Sequence, residues 1–298
     1  MKVAVIFGGK SSEREVSINT KDAVMQALQE LNIDSVALEL DKHLVDKLQK
    51  HKIDVVFNAG HGSYCEDGKL PGLLDIIEIP YTHSGLNSSQ IGMNKVVSKE
   101  VANLLGIKQP EYSLVEDFAD IPPHAVRIMK KPFVIKPVNE GSSVGVYIFQ
   151  DPSTFTPEDE YFKYGPLLVE EYVKGQEVHA VILDNQAIGA VEIKPQSEFY
   201  DYGAKYTSGD TEYTIPPQIP ADIYNTLLGE AEIFHNFIGC NYISRVDFIV
   251  RGEEVFFLEI NTHPGFTKTS LVPKVAESKN ISFKNIVKDL IDSARYEK

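Results

Sequence analysis

Cysteine is nearly absent: Cys65 and Cys240 are the two in 298 residues. Two thiols that far apart make neither a disulfide framework nor a metal-binding spacing, which fits a reducing compartment. Positive charge is also scarce, with 29 Lys and Arg against 43 Asp and Glu for a formal charge of -14. That balance repels a phosphate backbone, so nucleic acid is not an expected partner, although a few local lysines can still build a nucleotide pocket. No apolar run is long enough to span a bilayer. The opening MKVAVIFGG is broken by Gly8 and Gly9 too early for a signal peptide. A cytoplasmic chain with no membrane partner is therefore expected. Internal repeats and low-complexity tracts are missing too.

What is present can bury a sizeable core: 43% of the residues are hydrophobic, and the length suits two or three domains. Val3 to Phe7 reads as a strand, a helix follows from Ser17 with Val24, Leu28 and Leu31 on one face, Val36 to Leu40 is a strand, Val45 to Lys50 a helix and Val55 to Asn58 a strand. Strand and helix in alternation predict a doubly wound parallel α/β unit, with its ligand site beyond the strand ends at Gly8-Gly9 and at 58–62. Tyr81 to Met93 reads as a linker. A helix from Asn94 to Leu105 should turn Val97, Val101 and Leu104/Leu105 inward, and Pro110, Pro122 and Pro123 should interrupt regular structure.

Strands at Phe133 to Lys136, Val144 to Phe149 and Leu167 to Val173 predict a small antiparallel α+β unit. Further strands at Glu177 to Leu183 and Ala187 to Ile193 open the last unit, and a polar, aromatic stretch from Lys194 to Tyr213 reads as a functional loop. The helix Ile223 to Gly239, a hairpin and a closing helix Phe283 to Arg295 complete it. The expected domains are 1–84, 85–172 and 173–298.

The hairpin carries the first chemistry. Val246 to Val250 and Val255 to Ile260 flank the turn Arg251-Gly252-Glu253-Glu254. Alternation along the second strand points Glu259 and Asn261 the same way, and Asp247 can join them. Two carboxylates and an amide oxygen suit Mg²⁺, which takes its other ligands from phosphate and water; a solvated hairpin face is the plainer alternative. The stretch from Lys136 to Gly145 is a strand entering a Gly/Ser loop, where small residues let backbone N–H groups reach an anion beside a lysine. It could equally be a flexible turn. Lys95 opens a helix, whose first N–H groups favour phosphate. Residues 167–177 end a strand in an extended segment able to bond a purine edge, with Glu177 placed for ribose hydroxyls. Cys65 four residues after His61 raises a Cys/His hydrolase, for which no orienting partner is visible.

The order Lys95, Lys136 with its Gly/Ser loop, Glu170 to Glu177, Arg245 with Asp247, and Glu259-Ile-Asn261 resembles the ATP-grasp enzymes. More narrowly, GGKSSEREVS, AGHGSYCEDG, KPVNEGSSVGV, EFYDYGAKY and EINTHPGFTKTSLVPK resemble the D-alanine:D-alanine ligase family, over nearly the whole chain. The resemblance implies a three-domain ATP-grasp fold, α/β and α+β, and an ADP-forming ligation of two D-alanines through an acyl phosphate for peptidoglycan precursors. It also implies a homodimer.

By position, the resemblance assigns Lys95, Lys136 and Lys205 to the phosphates, with Ser143 in the nucleotide loop. Asp247, Glu259 and Asn261 would hold two Mg²⁺, or Mn²⁺. Glu170, Glu171, Val173 and Glu177 would line the adenosine pocket. Glu13 would meet the ammonium of the first D-alanine, with His61 beside it. Arg245 and the Gly265 N–H would stabilise the oxyanion, and Ser270 with the Leu271 N–H would take the second carboxylate. Glu13, Ser142 and Tyr206 would latch a loop from about 199 to 213 over the site.

Tyr206 with Lys205 favours an amine over D-lactate as nucleophile. Departures from the family pattern are Cys65, Gly203 and His263, the last expected to titrate near neutral pH or to be a solvated turn residue. D-lactate or D-serine as second substrate, and a catalytically silent nucleotide-binding module, are the competing readings.

Overall fold

An uninterrupted apolar run suits a strand covered on both faces, and the run at the start of the chain becomes β1 (Lys2–Phe7). The structure, a computed structural model, describes all residues except 10, 12, 195–211, 268, 269 and 298. The expectations for Gly203, Lys205 and Tyr206 lie outside the described residues. After β1 come α1 (Arg14–Glu30), β2 (Asp34–Glu39), α2 (Leu44–His51) and β3 (Val55–Asn58). The sheet is parallel in the order β2-β1-β3, as the alternating pattern predicted. Ser17 does not start α1 but lies in its first turns. Its buried hydroxyl accepts from the Gly8 N–H and donates to the Ala59 carbonyl, both at 2.8 Å, tying the loops after β1 and β3 together.

Next come α3 (Lys69–Ile76), α4 (Leu86–Met93) and α5 (Lys95–Leu104). The expected linker at 81–93 is thus corrected in part to a helix. Its small residues serve close packing: a Cβ on Gly92 would lie 2.7 Å from Thr262 Cγ2, and Ser88 Oγ donates to the Ile238 carbonyl at 2.8 Å. The inward face of α5 is corrected in part, since Val101 and Leu105 pack against the core as expected. Lys95, Ser98, Lys99 and Ala102 are buried, while Val97 and Leu104 are 41% and 72% exposed.

The central sheet contains β4 (Tyr112–Val115), then, after α6 (Pro123–Ile128), β5 (Phe133–Pro137), β6 (Tyr147–Phe149) and β7 (Leu167–Glu171), antiparallel in the order β4-β7-β5-β6. Pro123 begins α6 rather than breaking structure, since a first-turn residue has no N–H partner to lose. This sheet has its own core around Val115, Phe133, Ile135 and Val169.

The last part comprises β8 (Gln176–Leu183), β9 (Gln186–Lys194), β10 (Glu212–Thr214), α7 (Ala221–Phe237), β11 (Ile243–Arg251), β12 (Glu254–Asn261), α8 (Leu271–Ser278) and α9 (Phe283–Asp292). Its strands form an antiparallel sheet ordered β10-β9-β8-β11-β12. Alternation splits β8 cleanly. Val178, Ala180 and Ile182 face α7 and α5, whereas Val181 and Leu183 enter a second core with Val3, Val5, Leu28, Val275 and Leu290. The parallel sheet and the five-stranded sheet therefore share one interior. Helices α4 and α5, grouped with the central unit on sequence, lie against β12.

A bulge shapes the face of the hairpin that matters. Asp247 pairs with Glu259 but Phe248 pairs with Phe257, leaving Leu258 unmatched. Phe257 and Ile260 thus enter the core, while Leu258 and Glu259 both turn to the open side.

Candidate active site

Two cavities meet between the central sheet and the five-stranded sheet. The larger, about 660 Å³, is bordered by Lys136 on β5 and Ser143 in the loop after it, by Glu170, Glu171 and Val173 at the end of β7, by Glu177 on β8, and by Asp247 and Glu259. Its size suits a mononucleotide. The smaller, about 280 Å³, is bordered by Glu13, His61, Ser142, Arg245, Asn261, Gly265, Ser270 and Leu271. Lys95, Glu140, Gly141 and Glu259 border both. The described residues that the sequence singled out are thus brought to one continuous cleft.

Lys95 does not offer a free helix terminus. The Asn94 side chain accepts from the Val96 and Val97 N–H groups at 3.1 Å each, and the Lys95 N–H donates to the Val138 carbonyl. Its ammonium is what reaches the cleft, donating to the Glu140 carbonyl and lying 3.3 Å from Glu259 Oε2. Lys136 bonds one oxygen of Glu170 and the wholly buried Lys99 bonds the other. Burial works to raise the Glu170 carboxyl pKa, but the two ammoniums outweigh it and hold it below the ordinary range. Glu170 therefore lies at the base of the cavity as an anchor for lysines. Lys99 was missed by sequence reading, although its position four residues after Lys95 places both on one helical face.

Glu177 Oε1 lies 2.8 Å from His179 Nε2, and His179 Nδ1 lies 3.1 Å from Asp247 Oδ1. Arg245 grips Asp247 with both arms of its guanidinium, Nε to Oδ1 and the terminal nitrogen to Oδ2, each 2.7 Å. Asn261 Oδ1 accepts the His263 N–H at 2.8 Å. Among the described residues no group of three His, Cys, Asp or Glu is placed to hold a metal ion. Two carboxylates and one amide on one face fit a hard cation that completes its shell with phosphate oxygens and water.

In the smaller cavity the Ser142 hydroxyl donates to Glu13 Oε1 across 129 residues. The approach depends on Gly62, whose φ of +70° and whose absent Cβ, which would fall 2.2 Å from Ser11 Oγ and 2.9 Å from Glu13 Oε2, leave room for it. Ser270 stands at the N-cap position of α8 without bonding the helix N–H groups; its Oγ accepts the Thr267 N–H at 3.0 Å instead, and the first N–H groups of α8 begin at Leu271, a setting that favours a carboxylate.

His61 uses Nε2 toward Thr20 Oγ1 and Nδ1 toward Glu66 Oε1, both 2.9 Å. Cys65 is buried, and burial, then Glu66, push its thiol up to about 12. A thiol held protonated, beside a histidine whose nitrogens are both engaged elsewhere, rules against the Cys/His hydrolase.

His263 is corrected on both counts. It is buried, its ring 3.9 Å from that of His83 and 5.3 Å from that of His61. Burial first, then the two neighbouring histidines, hold it well below the usual histidine range; His83 is lowered by burial, then by His61, to about 3. Protons bind these rings more readily in the unfolded chain, so the folded state loses stability as pH falls below 6.5, the unfolded value, and keeps losing it toward about 3. The unfolding free energy should therefore fall between pH 7 and pH 5 by roughly 1.4 kcal/mol per histidine per pH unit below the unfolded value, read as a lower urea midpoint, and His83→Gln should flatten the decline. Equal midpoints at the two pH values would show the rings open to protons in the fold.

A family model described as the D-ala D-ala ligase C-terminus matches residues 100–292. A D-alanine--D-alanine ligase of Geobacter sulfurreducens is 43% identical over 297 residues, covering 98% of this chain and 94% of its own length. One of Anaeromyxobacter sp. is 41% identical over 300 residues, covering 98% and 96%. Among solved structures, D-alanine--D-alanine ligase from Bacillus anthracis complexed with ATP superposes with a TM-score of 0.83 at 27% identity, covering 98% of this chain and 97% of that one. VanG D-Ala:D-Ser ligase from Enterococcus faecalis gives 0.80 at 26% identity, covering 98% of each.

Proposed function

Because the chain belongs to the D-alanine:D-alanine ligase family, we propose that its cleft joins two D-alanines with ATP, forming D-alanyl-D-alanine, ADP and phosphate for peptidoglycan precursors. The observation that carries this reading is the shared wall at Lys95 and Glu259. It sets a mononucleotide-sized cavity with lysines against a small cavity suited to amino acids.

The first D-alanine lies with its ammonium toward Glu13 and His61, and its carboxylate toward the shared wall. A carboxylate oxygen attacks the γ-phosphorus of ATP and ADP leaves, giving an acyl phosphate. Lys95 and Lys136 neutralise phosphate charge, and positioning with neutralisation supplies most of the catalysis in such transfers. The amine of the second D-alanine, held by its carboxylate at Ser270 and the Leu271 N–H, then attacks the acyl carbon. Arg245 and the Gly265 N–H stabilise the tetrahedral oxyanion, and inorganic phosphate departs as the amide forms. Asp247, Glu259 and Asn261 would hold Mg²⁺, which when bound neutralises and aligns the β- and γ-phosphates. Glu171, Val173 and Glu177 edge the adenosine end, and Ser142 with Glu13 closes the far side against water. The same proposal places a homodimeric enzyme in the cytoplasm, where ATP is made available; no helix among the described residues is long and apolar enough to cross a membrane.

Phosphate release with ATP and Mg²⁺ should rise only on adding D-alanine, and mass analysis with D-alanine, D-serine and D-lactate together should return the D-alanyl-D-alanine product in excess. Turnover that ignores D-alanine but responds to another acceptor would overturn the assignment.

A further inference from the structure

Lys99 lies beneath the nucleotide cavity, wholly enclosed, and touches no part of its surface. It comes from the inward face of α5, with its ammonium 5.4 Å from the Tyr112 ring centroid and in contact with Glu170 Oε1. Glu170 Oε2 takes Lys136. One buried carboxylate is thus shared by two ammoniums, only one of which faces the cavity. At the base of the cavity Lys99 and Lys136 stand against Glu170, two cations to one anion. Removing Lys99 would leave Glu170 and Lys136 as a neutral pair. The cavity would then hold one positive charge fewer beside a triphosphate, in a chain of formal charge -14.

We infer that Lys99 is a positioning residue for ATP: it neutralises Glu170 from below, so that Lys136 keeps its charge available to the phosphates. The inference rests on reading the larger cavity as the ATP site and adds a requirement to it. Burial, opposed chiefly by Glu170, lowers the Lys99 pKa to about 8, which leaves it charged at neutral pH.

The test compares ATP with adenosine, which fills the same pocket without charge, by calorimetry on the full chain in Mg²⁺. The readout is the preference for ATP, the adenosine dissociation constant divided by that of ATP. Lys99→Met should lower the preference about tenfold or more, the effect of one missing charge close to the phosphates. A Lys99→Met, Glu170→Gln double variant should bring it back near the native value, because both buried charges are then gone. A merely structural lysine would weaken both ligands alike and make the double variant worse, and either result overturns the inference. If Lys99→Met does not fold, Glu170→Gln alone decides: a preference at or above native supports the role, and one below native overturns it. A native chain with no preference for ATP would remove the ATP-site reading itself.

Discussion

Arg245→Met should lower kcat by about 10²- to 10³-fold at saturating D-alanine, the usual consequence of removing one preorganised donor to a developing oxyanion. Arg245 is well placed for that role because it is already held. Asp247 grips both arms of the guanidinium at 2.7 Å, so little reorganisation is needed when charge appears on the reacting carbonyl. The same contact makes the residue structural. Asp247 is buried, and a buried carboxylate that loses its partner typically costs about 3–5 kcal/mol; His179 Nδ1, 3.1 Å away, offsets part of this. Arg245→Lys separates the two effects, since it keeps a charge near Asp247 but loses the fork. It should recover much of the thermal stability and little of kcat. If kcat of Arg245→Met stays within about tenfold of native, Arg245 has no part in the chemistry.

Glu259→Gln should be as damaging by another route. Glu259 stands opposite Asp247, contacts the Lys95 ammonium at 3.3 Å, and borders both cavities. On the proposed function its carboxylate would hold a divalent cation where the phosphate is handed over, a contribution of several kcal/mol. A loss of about 10³-fold in kcat is expected, together with a shift of the Mg²⁺ requirement to higher concentration. An unaltered Mg²⁺ titration would exclude Glu259 as a ligand, and nucleotide turnover that is no higher in the native chain than in the variant and independent of D-alanine would revive the reading of a silent nucleotide-binding module.

How much of this could be seen in the sequence differs from element to element. The hairpin was legible because strand periodicity is two, so Glu259 and Asn261 had to share a face. Asp247 joins them through the unmatched Leu258, which no alternation rule signals. The helix α5 was misoriented for a physical reason. Apolar periodicity assumes that apolar means inward, yet here Lys95 and Lys99 face in, toward the carboxylates Glu259 and Glu170 and the cavity, and Val97 and Leu104 face out. Small residues at 85–92 read as a flexible connection, but they mark where α4 presses against Thr262 and Ile238. His263 read as a solvated turn because its cover, His83 and His61, comes from the other end of the chain.

The interior shared by the parallel and five-stranded sheets sews the two amino-acid walls, one bearing Glu13 and His61, the other Arg245 and Gly265, into a single rigid vessel. The four-stranded lobe has its separate filling around Phe133 and Val169 and joins those walls through Ser142, whose hydroxyl donates to Glu13.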